Sequence, residues 1–587
     1  MSNASQAAWY RPKSALQRVL ARIHGLAIIG LVTLVHASFG ISVSETFAGG
    51  QEHQDPTAKP DGPLNILWLT VEDMSPWIGP YGDKTVPTPH LDRLAAEGIT
   101  YDNAFADSPV CAPARTALIT GCYPTRIGAM HMRTRSRSKS VEPEAYVDIP
   151  LYEAVPPPSV RCFPEYLRAA GYYTTNRSKK DYQFRAPQWT WDDSSRKADY
   201  SSRPAGAPFF SVYNHGGTHE SQAFPEAKRR PAVVAPEELS LPPIYPDTPA
   251  VRDALARTYN NIAEMDAWVG RELERLDRAG LAESTVVFFY SDHGVGLPRG
   301  KRSLYGTGTR VPLLIRFPKG RGPADLPPGS RTDRIVSFID FGATALSLAG
   351  IEPPQDIDGL AFLGPHAGAP RTLAFFHADR FDAVRDRARA VTDGRRLVIR
   401  NLLPDRPHLI ANAYRERIPM TADLYALREN GALAGERTQA QWQVGSTERP
   451  VTEWYDRSED PWETASLVGT SLAADEQAAF DALEDALDDW IRAGDLGLVD
   501  SESELVRTAL WPPRGEQPTT AQPFRNAQGG FSSATPGASI GYSIQGSGRF
   551  HPAPGGLVPP LAPGTRIEVK AHRLGYQPSP SARFTVR

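Results

Sequence analysis

Three strongly apolar runs, each leading to residues suited to chemistry, constrain the fold of this chain more than any other feature. The runs are 64–71, before Glu72 and Asp73; 208–213, before His219; and 285–290, before Asp292 and His293. Helical stretches such as 90–98 and 251–279 separate them, and this pattern predicts buried parallel strands with crossover helices. Because open α/β sheets bind ligands beyond the carboxyl ends of their strands, the two acidic segments are expected to meet in one cleft.

Length and charge narrow the class of protein. A chain of 587 residues is too long for one hydrophobic core, so two or three domains are expected. The 64 basic and 67 acidic residues nearly balance, which indicates no general affinity for nucleic acid or anionic membranes. Three cysteines argue against a disulfide framework, and Cys122 and Cys162 could pair or stay reduced.

The first 48 residues are interpreted as a signal peptide and leader. Basic residues precede an apolar stretch, 25–35, that is well short of the ~20 residues of a membrane-spanning helix. Cleavage could follow Ala37 or Ala48, and a short membrane anchor is the alternative interpretation. We expect export to the periplasm or the extracellular space, without stable membrane insertion after cleavage.

The segment 111–121 reads Cys-Ala-Pro-Ala-Arg-Thr-Ala-Leu-Ile-Thr-Gly. Pro113 suits the first turn of a helix, which places Cys111 just ahead of the helix N-terminus, where free N–H groups favour an anion. Arg115 follows within about one turn and could hold anionic oxygens. A buried structural cysteine is the alternative interpretation.

Cys-x-Pro-x-Arg followed by Thr120-Gly121 resembles the signature of the type I sulfatases, in which a maturation enzyme converts this cysteine to formylglycine. The resemblance implies that residue 111 becomes an aldehyde that hydrates. One hydroxyl then attacks the sulfur of a sulfate ester, and the other later expels sulfate. The resemblance covers roughly 65–467 and implies an alkaline-phosphatase-like α/β core with a predominantly parallel central sheet.

The acidic segments supply candidate metal ligands. Hard oxygen ligands suit calcium or magnesium, and a site with several carboxylates suits calcium better. The resemblance implies one Ca²⁺, with Mg²⁺ less favoured, held by Glu72, Asp73, Asp292, His293 and residue 111. The family usually carries two aspartates after its first strand, so Glu72 departs from its pattern. Helix capping or solvation is the alternative interpretation of an acidic pair.

Two further segments resemble sulfate-binding motifs of the family. Residues 292–312 are similar to Asp-(Asn/His)-Gly…Gly-Lys…Gly-x-Arg-Val-Pro, where Lys301 takes the place of a sulfate-binding lysine and Arg302 is read as a solvated neighbour. Residues 171–182 are similar to Gly-Tyr-x-Thr…Gly-Lys-Trp-His, and Lys179 matches the other sulfate-binding lysine. Asp181 replaces the usual histidine, which helps to deprotonate the hydrate, and a carboxylate could act as that base. The Lys-x-Asp form resembles the branch of heparan N-sulfatase-like bacterial enzymes.

His219, in the segment 214–221, matches the family histidine that contacts sulfate and protonates the leaving group. His215 competes with it on spacing alone. Two clusters of polar residues could contact the sugar, and a solvated surface is the alternative interpretation of both. They are His131 and Arg133 near the pocket, and His377, Asp379 and Arg380 beyond it.

The sequence predicts a catalytic α/β domain over 60–370 and a smaller α+β subdomain over 371–510. Residues 453–463 match a family segment that is structural. A Pro-rich stretch, 511–523, reads as a linker. Residues 524–587 predict a small β-sandwich-like module that resembles those appended to some glycan hydrolases, with packing as its expected role.

Together these features predict an exported, formylglycine-dependent sulfatase that acts on a sulfated glycan, in particular a glycosaminoglycan-type sugar. One alternative is a phosphate or phosphonate monoester hydrolase of the same superfamily. The other is an inactive glycan-binding protein. Binding alone needs no modifiable cysteine, so the motif at Cys111 argues against the second alternative.

Overall fold

A seven-stranded, mostly parallel sheet is central to the computed structural model, which describes residues 62–137, 143–432 and 448–586. Its strands are β1 (Asn65–Val71), β2 (Ile99–Phe105), β3 (Tyr173–Arg177), β4 (Phe209–His215), β5 (Thr285–Ser291), β6 (Leu313–Arg316) and β7 (Ser330–Ser337). The order is β3-β4-β1-β5-β6-β2-β7, and β6 runs antiparallel to both of its neighbours. The predicted parallel core is therefore confirmed, while the predicted signal peptide lies outside the described residues.

The three apolar runs become the adjacent parallel strands β4, β1 and β5. All seven residues of β1 and of β5 are buried, because helices cover both faces of the sheet. Val71 lies opposite His215 on one side and Ser291 on the other. The residues that follow these three strands therefore meet at one edge of the sheet.

The α-helices of the described residues are α1 (Pro89–Ala96), α2 (Cys111–Thr120), α3 (Pro124–Ile127), α4 (Pro164–Ala169), α5 (Pro249–Arg278), α6 (Gly306–Thr309), α7 (Ile339–Leu348), α8 (Pro419–Glu429), α9 (Ala474–Arg492) and α10 (Glu502–Leu505). Two of the helices, α1 and α5, match the stretches 90–98 and 251–279 predicted as crossover helices. The Thr248 side chain accepts a hydrogen bond from the Val251 N–H and caps α5, with Pro249 in the first turn. Helix α2 is buried along its whole length and ends at Gly121, whose φ of 68° is left-handed.

Two further groups of strands lie in the C-terminal half. An antiparallel sheet in the order β11-β10-β9-β8 consists of β8 (Ala374–Ala378), β9 (Ala388–Thr392), β10 (Arg396–Asn401) and β11 (Thr452–Asp456). The last segment contains the pair β12 (Phe524–Arg525) and β13 (Phe531–Ser532), and a sheet of β14 (Ser539–Ile544), β15 (His551–Pro552), β16 (Arg566–His572) and β17 (Ala582–Thr585). Phe531 and Phe584 pack at 4.7 Å between ring centroids and join the two sheets of this C-terminal module.

The C-terminal module packs closely against the α/β part, within one compact unit that spans Lys59–Arg587. The Trp189 Nε1–H donates to Glu165 at 2.9 Å and to Ser539 at 3.1 Å. A Cβ at Gly541 would lie 2.1 Å from the Trp189 ring, so glycine permits this approach. The Pro-rich stretch, 511–523, packs against the C-terminal module at its first residue. The Nε1–H of the buried Trp511 donates to the Gly575 carbonyl at 3.1 Å.

Cys122 and Cys162 are free and buried, which leaves the reduced alternative for this pair.

Within the described part of the chain, every helix is too short or too polar to cross a membrane.

Candidate active site

The two acidic segments lie side by side at the carboxyl end of the central sheet. The Asp73 N–H donates to Asp292 Oδ1 at 3.1 Å, and the Asp292 N–H donates to the Val71 carbonyl at 3.0 Å. Asp73 and Asp292 are both buried. The pairing of β1 with β5 therefore creates the carboxylate cluster that the sequence predicted.

Cys111 reaches this cluster as the first residue of α2, not from just ahead of the helix. Its Sγ lies 3.2 Å from His293 Nε2, 3.6 Å from Lys301 Nζ and 3.9 Å from Asp73 Oδ1. Burial opposes ionisation of the thiol, but the ammonium groups of Lys179 and Lys301 lower the pKa of Cys111 to about 6. The motif cysteine thus lies between cations and carboxylates, in a setting that favours a nucleophile over an inert core thiol.

Arg115 is one helical turn away and carries a donor without an acceptor. Its Nε donates to Asp292 Oδ2 at 3.0 Å and its Nη1 donates to Asn214 Oδ1 at 2.7 Å. Its Nη2 is buried and has no hydrogen-bond partner among the described residues. Leaving such a donor unsatisfied costs about 1–3 kcal/mol, so this nitrogen is suited to bind an anionic ligand.

Glu72, despite its longer side chain, also reaches the site. Lys179 Nζ lies 2.5 Å from Glu72 Oε2, and His219 Nε2 lies 3.9 Å from the same oxygen. Ligand atoms of Glu72, Asp73, Cys111 and His219 lie within 4.8 Å of one another, as do those of Asp73, Cys111, Asp292 and His293. The five residues predicted to hold a cation are therefore divided between two clusters that share Asp73 and Cys111, and Glu72 groups with His219 instead of Asp292 and His293.

The two candidate histidines have different surroundings. The Ser221 N–H donates to His219 Nδ1 at 3.2 Å, while His219 Nε2 faces the site, 3.9 Å from Glu72 Oε2. The His215 ring instead stacks on Trp268 at 4.7 Å, and its Nε2 lies 3.6 Å from Glu264. The geometry favours His219 as the proton donor.

Lys301 is held by a carboxylate that the sequence analysis left without a role. Its Nζ lies 2.8 Å from Asp73 Oδ2 and 2.8 Å from Glu220 Oε1. Both terminal nitrogens of Arg302 donate to Glu220, at 2.9 and 3.0 Å. Arg302 is buried, so its interpretation as a solvated neighbour is wrong. A buried ion pair of this kind orients the loop that carries Lys301.

Glu220→Gln should lower kcat about 10–100-fold, because the loss of one charge leaves Lys301 and Arg302 without their shared partner. The measurement is sulfate release at saturating substrate, with the melting temperature recorded in parallel. Glu226→Gln is the matched control, since Glu226 is exposed and pairs only with Arg417 among the described residues. Equal kcat values for the two variants would contradict a positioning role for Glu220.

Asp181 lies at the edge of the site in a strained backbone. Its φ is 54°, and Asp73, Ser178 and Arg302 have φ values of 51°, 71° and 75°. Left-handed backbone in residues other than glycine costs of order 1–3 kcal/mol and concentrates at functional sites. Asp181 Oδ1 accepts from Arg133 Nη1 at 3.4 Å, so Arg133 borders the site as predicted. Burial raises the pKa of the Asp181 carboxyl, but Lys179 and Arg133 outweigh this and lower it.

The structure contradicts the sugar-contacting role predicted for His377, Asp379 and Arg380. All three are buried. Asp379 accepts from His377 Nδ1 at 2.9 Å and pairs with Arg389 at 3.1 Å, while Arg380 pairs with Glu502 at 2.5 Å. These residues form an internal charge network. The nearby His131 belongs to the same network, because its Nδ1 accepts from the Arg380 N–H at 3.2 Å and its Nε2 lies 4.0 Å from Glu502.

Asp379→Asn should therefore destabilise the fold without changing substrate preference. Breaking a buried ion pair typically costs about 3–5 kcal/mol, so the melting temperature should fall well below that of the exposed control Asp333→Asn. Activity per folded molecule should stay close to wild type both on a sulfated sugar and on a small aryl sulfate. A loss confined to the sugar would restore the substrate-binding interpretation.

Tyr414 and Asn214 are site residues that sequence analysis missed. The Tyr414 ring lies 6.4 Å from the His219 ring, and Tyr414 lies in the segment between β10 and α8. Asn214 orients Arg115 through the hydrogen bond described above. Asn214 directly follows an apolar run, which is a usable signal, whereas nothing around Tyr414 in the sequence marks it.

Residues 64–351 match the family model described as Sulfatase. An ulvan-active sulfatase of Formosa agariphila is 39% identical over 564 residues, covering 89% of this chain and 91% of that protein. The human N-acetylgalactosamine-6-sulfatase is 28% identical over 356 residues, covering 51% of this chain and 65% of that protein.

Two solved structures resemble the fold. A 2-O GAG sulfatase superposes with a TM-score of 0.51 at 16% identity, covering 74% of this chain and 93% of that one. A phosphonate monoester hydrolase from Silicibacter pomeroyi gives a TM-score of 0.50 at 15% identity, covering 80% and 99%. These likenesses confirm the predicted alkaline-phosphatase-like fold. Because residues 64–351 match the Sulfatase model and the chain is 39% identical to a sulfatase along most of both sequences, the chain belongs to the sulfatase family and is a sulfuric ester hydrolase.

Proposed function

We propose that this protein hydrolyses a sulfate ester or sulfamate of a sulfated glycan, using formylglycine at residue 111 and one calcium ion. The convergence at Cys111 carries the proposal: a motif cysteine at the start of a buried helix lies among the carboxylates of Asp73 and Asp292 and the cations Lys179, Lys301 and Arg115. Matched cations and carboxylates around one nucleophile suit the transfer of an anionic group.

The residues present fit a divalent cation. Glu72, Asp73 and Asp292 offer hard oxygen atoms and His293 adds a nitrogen, all close to Cys111. A set dominated by carboxylates favours Ca²⁺ over Mg²⁺, which demands stricter octahedral geometry. When bound, the cation would neutralise sulfate oxygens and orient the attacking group.

Cations of the chain would hold the substrate sulfate. Lys179 and Lys301 both act electrostatically on residue 111, and Arg115 Nη2, which lacks a hydrogen-bond partner among the described residues, offers a third donor. As formylglycine hydrate, residue 111 would supply the attacking hydroxyl. Three donors fixed in a buried site stabilise negative charge on the transferring group better than mobile water does.

Proton transfer would fall to His219 and Asp181. His219 Nε2 faces the site, and from it the ring would deliver a proton to the leaving oxygen or nitrogen. Asp181 is ionised near neutral pH, because Lys179 and Arg133 lower the pKa of its carboxyl, so it can accept a proton from residue 111. It would replace the histidine that most members carry there.

The relatives guide the substrate class. One is named for ulvan and the other for N-acetylgalactosamine-6-sulfate, and both names describe sulfated sugars. We propose a sulfated polysaccharide or glycosaminoglycan-type substrate, a maturation enzyme that modifies Cys111, and export to the periplasm or beyond.

Defined sulfated saccharides would test the proposal, with inorganic sulfate release as the readout. A matched pair of aryl sulfate and aryl phosphate separates this function from the phosphate or phosphonate monoester hydrolase, because sulfate carries less charge. We expect faster cleavage of the sulfate. Faster phosphate cleavage would support the monoester hydrolase, and binding without turnover would support the inactive glycan-binding protein.

A further inference from the structure

A cleft of about 650 Å³ lies next to the catalytic residue. Ala112, which directly follows Cys111, lines it together with Asp181. The cleft therefore begins at the site where sulfate would be held and extends away from it. Its volume lies within the usual range of ligand sites, roughly 300–1,000 Å³.

Positive charge dominates the lining of this cleft. Arg133, Arg135, Lys180 and Arg185 contribute to it, against the single carboxylate of Asp181. Arg133 pairs with Asp181 at 3.4 Å, and Arg135 lies 3.5 Å from Glu153. Among the described residues, Lys180 and Arg185 have no ion-pair partner and both are exposed. The cleft thus holds more cationic side chains than its own carboxylates neutralise.

The wall that carries these cations is anchored in the fold. The Gln183 N–H donates to Thr116 Oγ1 of α2 at 3.0 Å, and the Arg185 N–H donates to Glu153 Oε2 at 2.7 Å. The C-terminal module supports the far end, where Arg185 Nη1 donates to Gln577 Oε1 at 3.1 Å. The first two contacts fix the backbone of this wall, and Gln577 holds the Arg185 guanidinium through one nitrogen, while Lys180 and Arg185 both line the cleft.

We infer that this cleft binds a second anionic group, carried by a sugar adjacent to the sulfated one. The inference rests on the proposed function, which places the sulfate at Cys111. Guanidinium groups bind carboxylate and sulfate alike through paired N–H donors, so the shared chemistry is a glycan anion. The enzyme would then select acidic glycans in which a uronate carboxylate or another sulfate flanks the scissile group.

The test compares the double variant Lys180→Gln/Arg185→Gln with the wild-type full chain. The substrates are a sulfated disaccharide with a uronic acid, its carboxyl-reduced form, the same disaccharide with a second sulfate in place of the carboxylate, and a small aryl sulfate. We expect the double variant to raise KM about tenfold for whichever acidic disaccharide wild type prefers. Its kinetics on the carboxyl-reduced disaccharide and the aryl sulfate should not change.

Arg196→Gln/Lys197→Gln is the matched control, because Arg196 and Lys197 are exposed and lie outside the cleft lining. Preference for the uronate over the second sulfate, or the reverse, identifies the group recognised. Equal wild-type KM values for the acidic and carboxyl-reduced disaccharides, or equal KM values for the two double variants, would overturn the inference.

Failure of the proposed catalytic function can be distinguished from failure of the inference about the cleft. If wild type released no sulfate from any substrate, including the aryl sulfate, the catalytic proposal would fall. Calorimetric binding of the same disaccharides would then test whether the cleft binds a glycan anion. Tighter binding of the acidic forms to wild type, together with loss of this difference in Lys180→Gln/Arg185→Gln, supports the inference. Equal binding of the acidic and carboxyl-reduced forms contradicts it.

Discussion

Replacement of Cys111 by alanine should reduce sulfate release about 10⁵-fold, because the nucleophile is lost while the rest of the site remains. Cys111→Ser should be almost as inactive, since a plain hydroxyl has no second oxygen to expel sulfate, unless the host converts serine. Peptide mass spectrometry of wild type made with a maturation enzyme should show that residue 111 has lost its sulfur and gained oxygen.

Cys162→Ser provides the matched control, because Cys162 is buried, free and distant in the sequence from the motif. It should lower the melting temperature but leave activity per folded molecule close to wild type. Fully active enzyme whose residue 111 is an unmodified thiol would refute the formylglycine mechanism.

Removal of calcium should abolish turnover, and Asp73→Asn or Asp292→Asn should have the same effect. Each substitution removes a carboxylate from the cluster, and Asp292 additionally orients both Asp73 and Arg115. A cation that binds only the folded state also stabilises it, so added Ca²⁺ should raise the melting temperature of wild type but not of the two variants.

Elemental analysis provides a readout that does not depend on activity. Wild type should retain about one calcium ion per chain, and the variants should retain almost none. Asp475→Asn is the control, since Asp475 is exposed in the first turn of α9. Full activity in a preparation proven to be free of metal would exclude this role for the carboxylates, and restoration by Mg²⁺ in preference to Ca²⁺ would change the assigned ion.

The central sheet and the core of the site could be predicted from the sequence, because they depend on local patterns. Apolar runs long enough to be buried on both faces predict parallel strands, and polar residues at their ends predict a common edge. Asp73, Asp292 and His293 meet for that reason. The motif around Cys111 likewise predicts where helix α2 begins, because Pro113 lies in its first turn.

The surroundings of charged side chains could not be predicted in this way. His377, Asp379 and Arg380 look like polar surface in the sequence, yet they belong to a buried network that distant residues complete. Arg389, the partner of Asp379, also pairs with Asp495, and Arg380 pairs with Glu502. Burial of a charge depends on where its counter-ion arrives in three dimensions, which local sequence does not encode. The exposed interpretation of Arg302 failed for the same reason, because Glu220 comes from a different loop.

The sequence by itself determined the family resemblance, the parallel core and the proposal that Cys111 is the reacting residue. Only the tertiary structure decided that Glu220 holds Lys301, that Tyr414 stands beside His219, and that cations line a cleft leading away from Cys111. The physical reason is the sequence separation of the interacting residues. Strand formation and helix capping depend on residues a few positions apart, whereas the positions of buried charges depend on packing between distant segments.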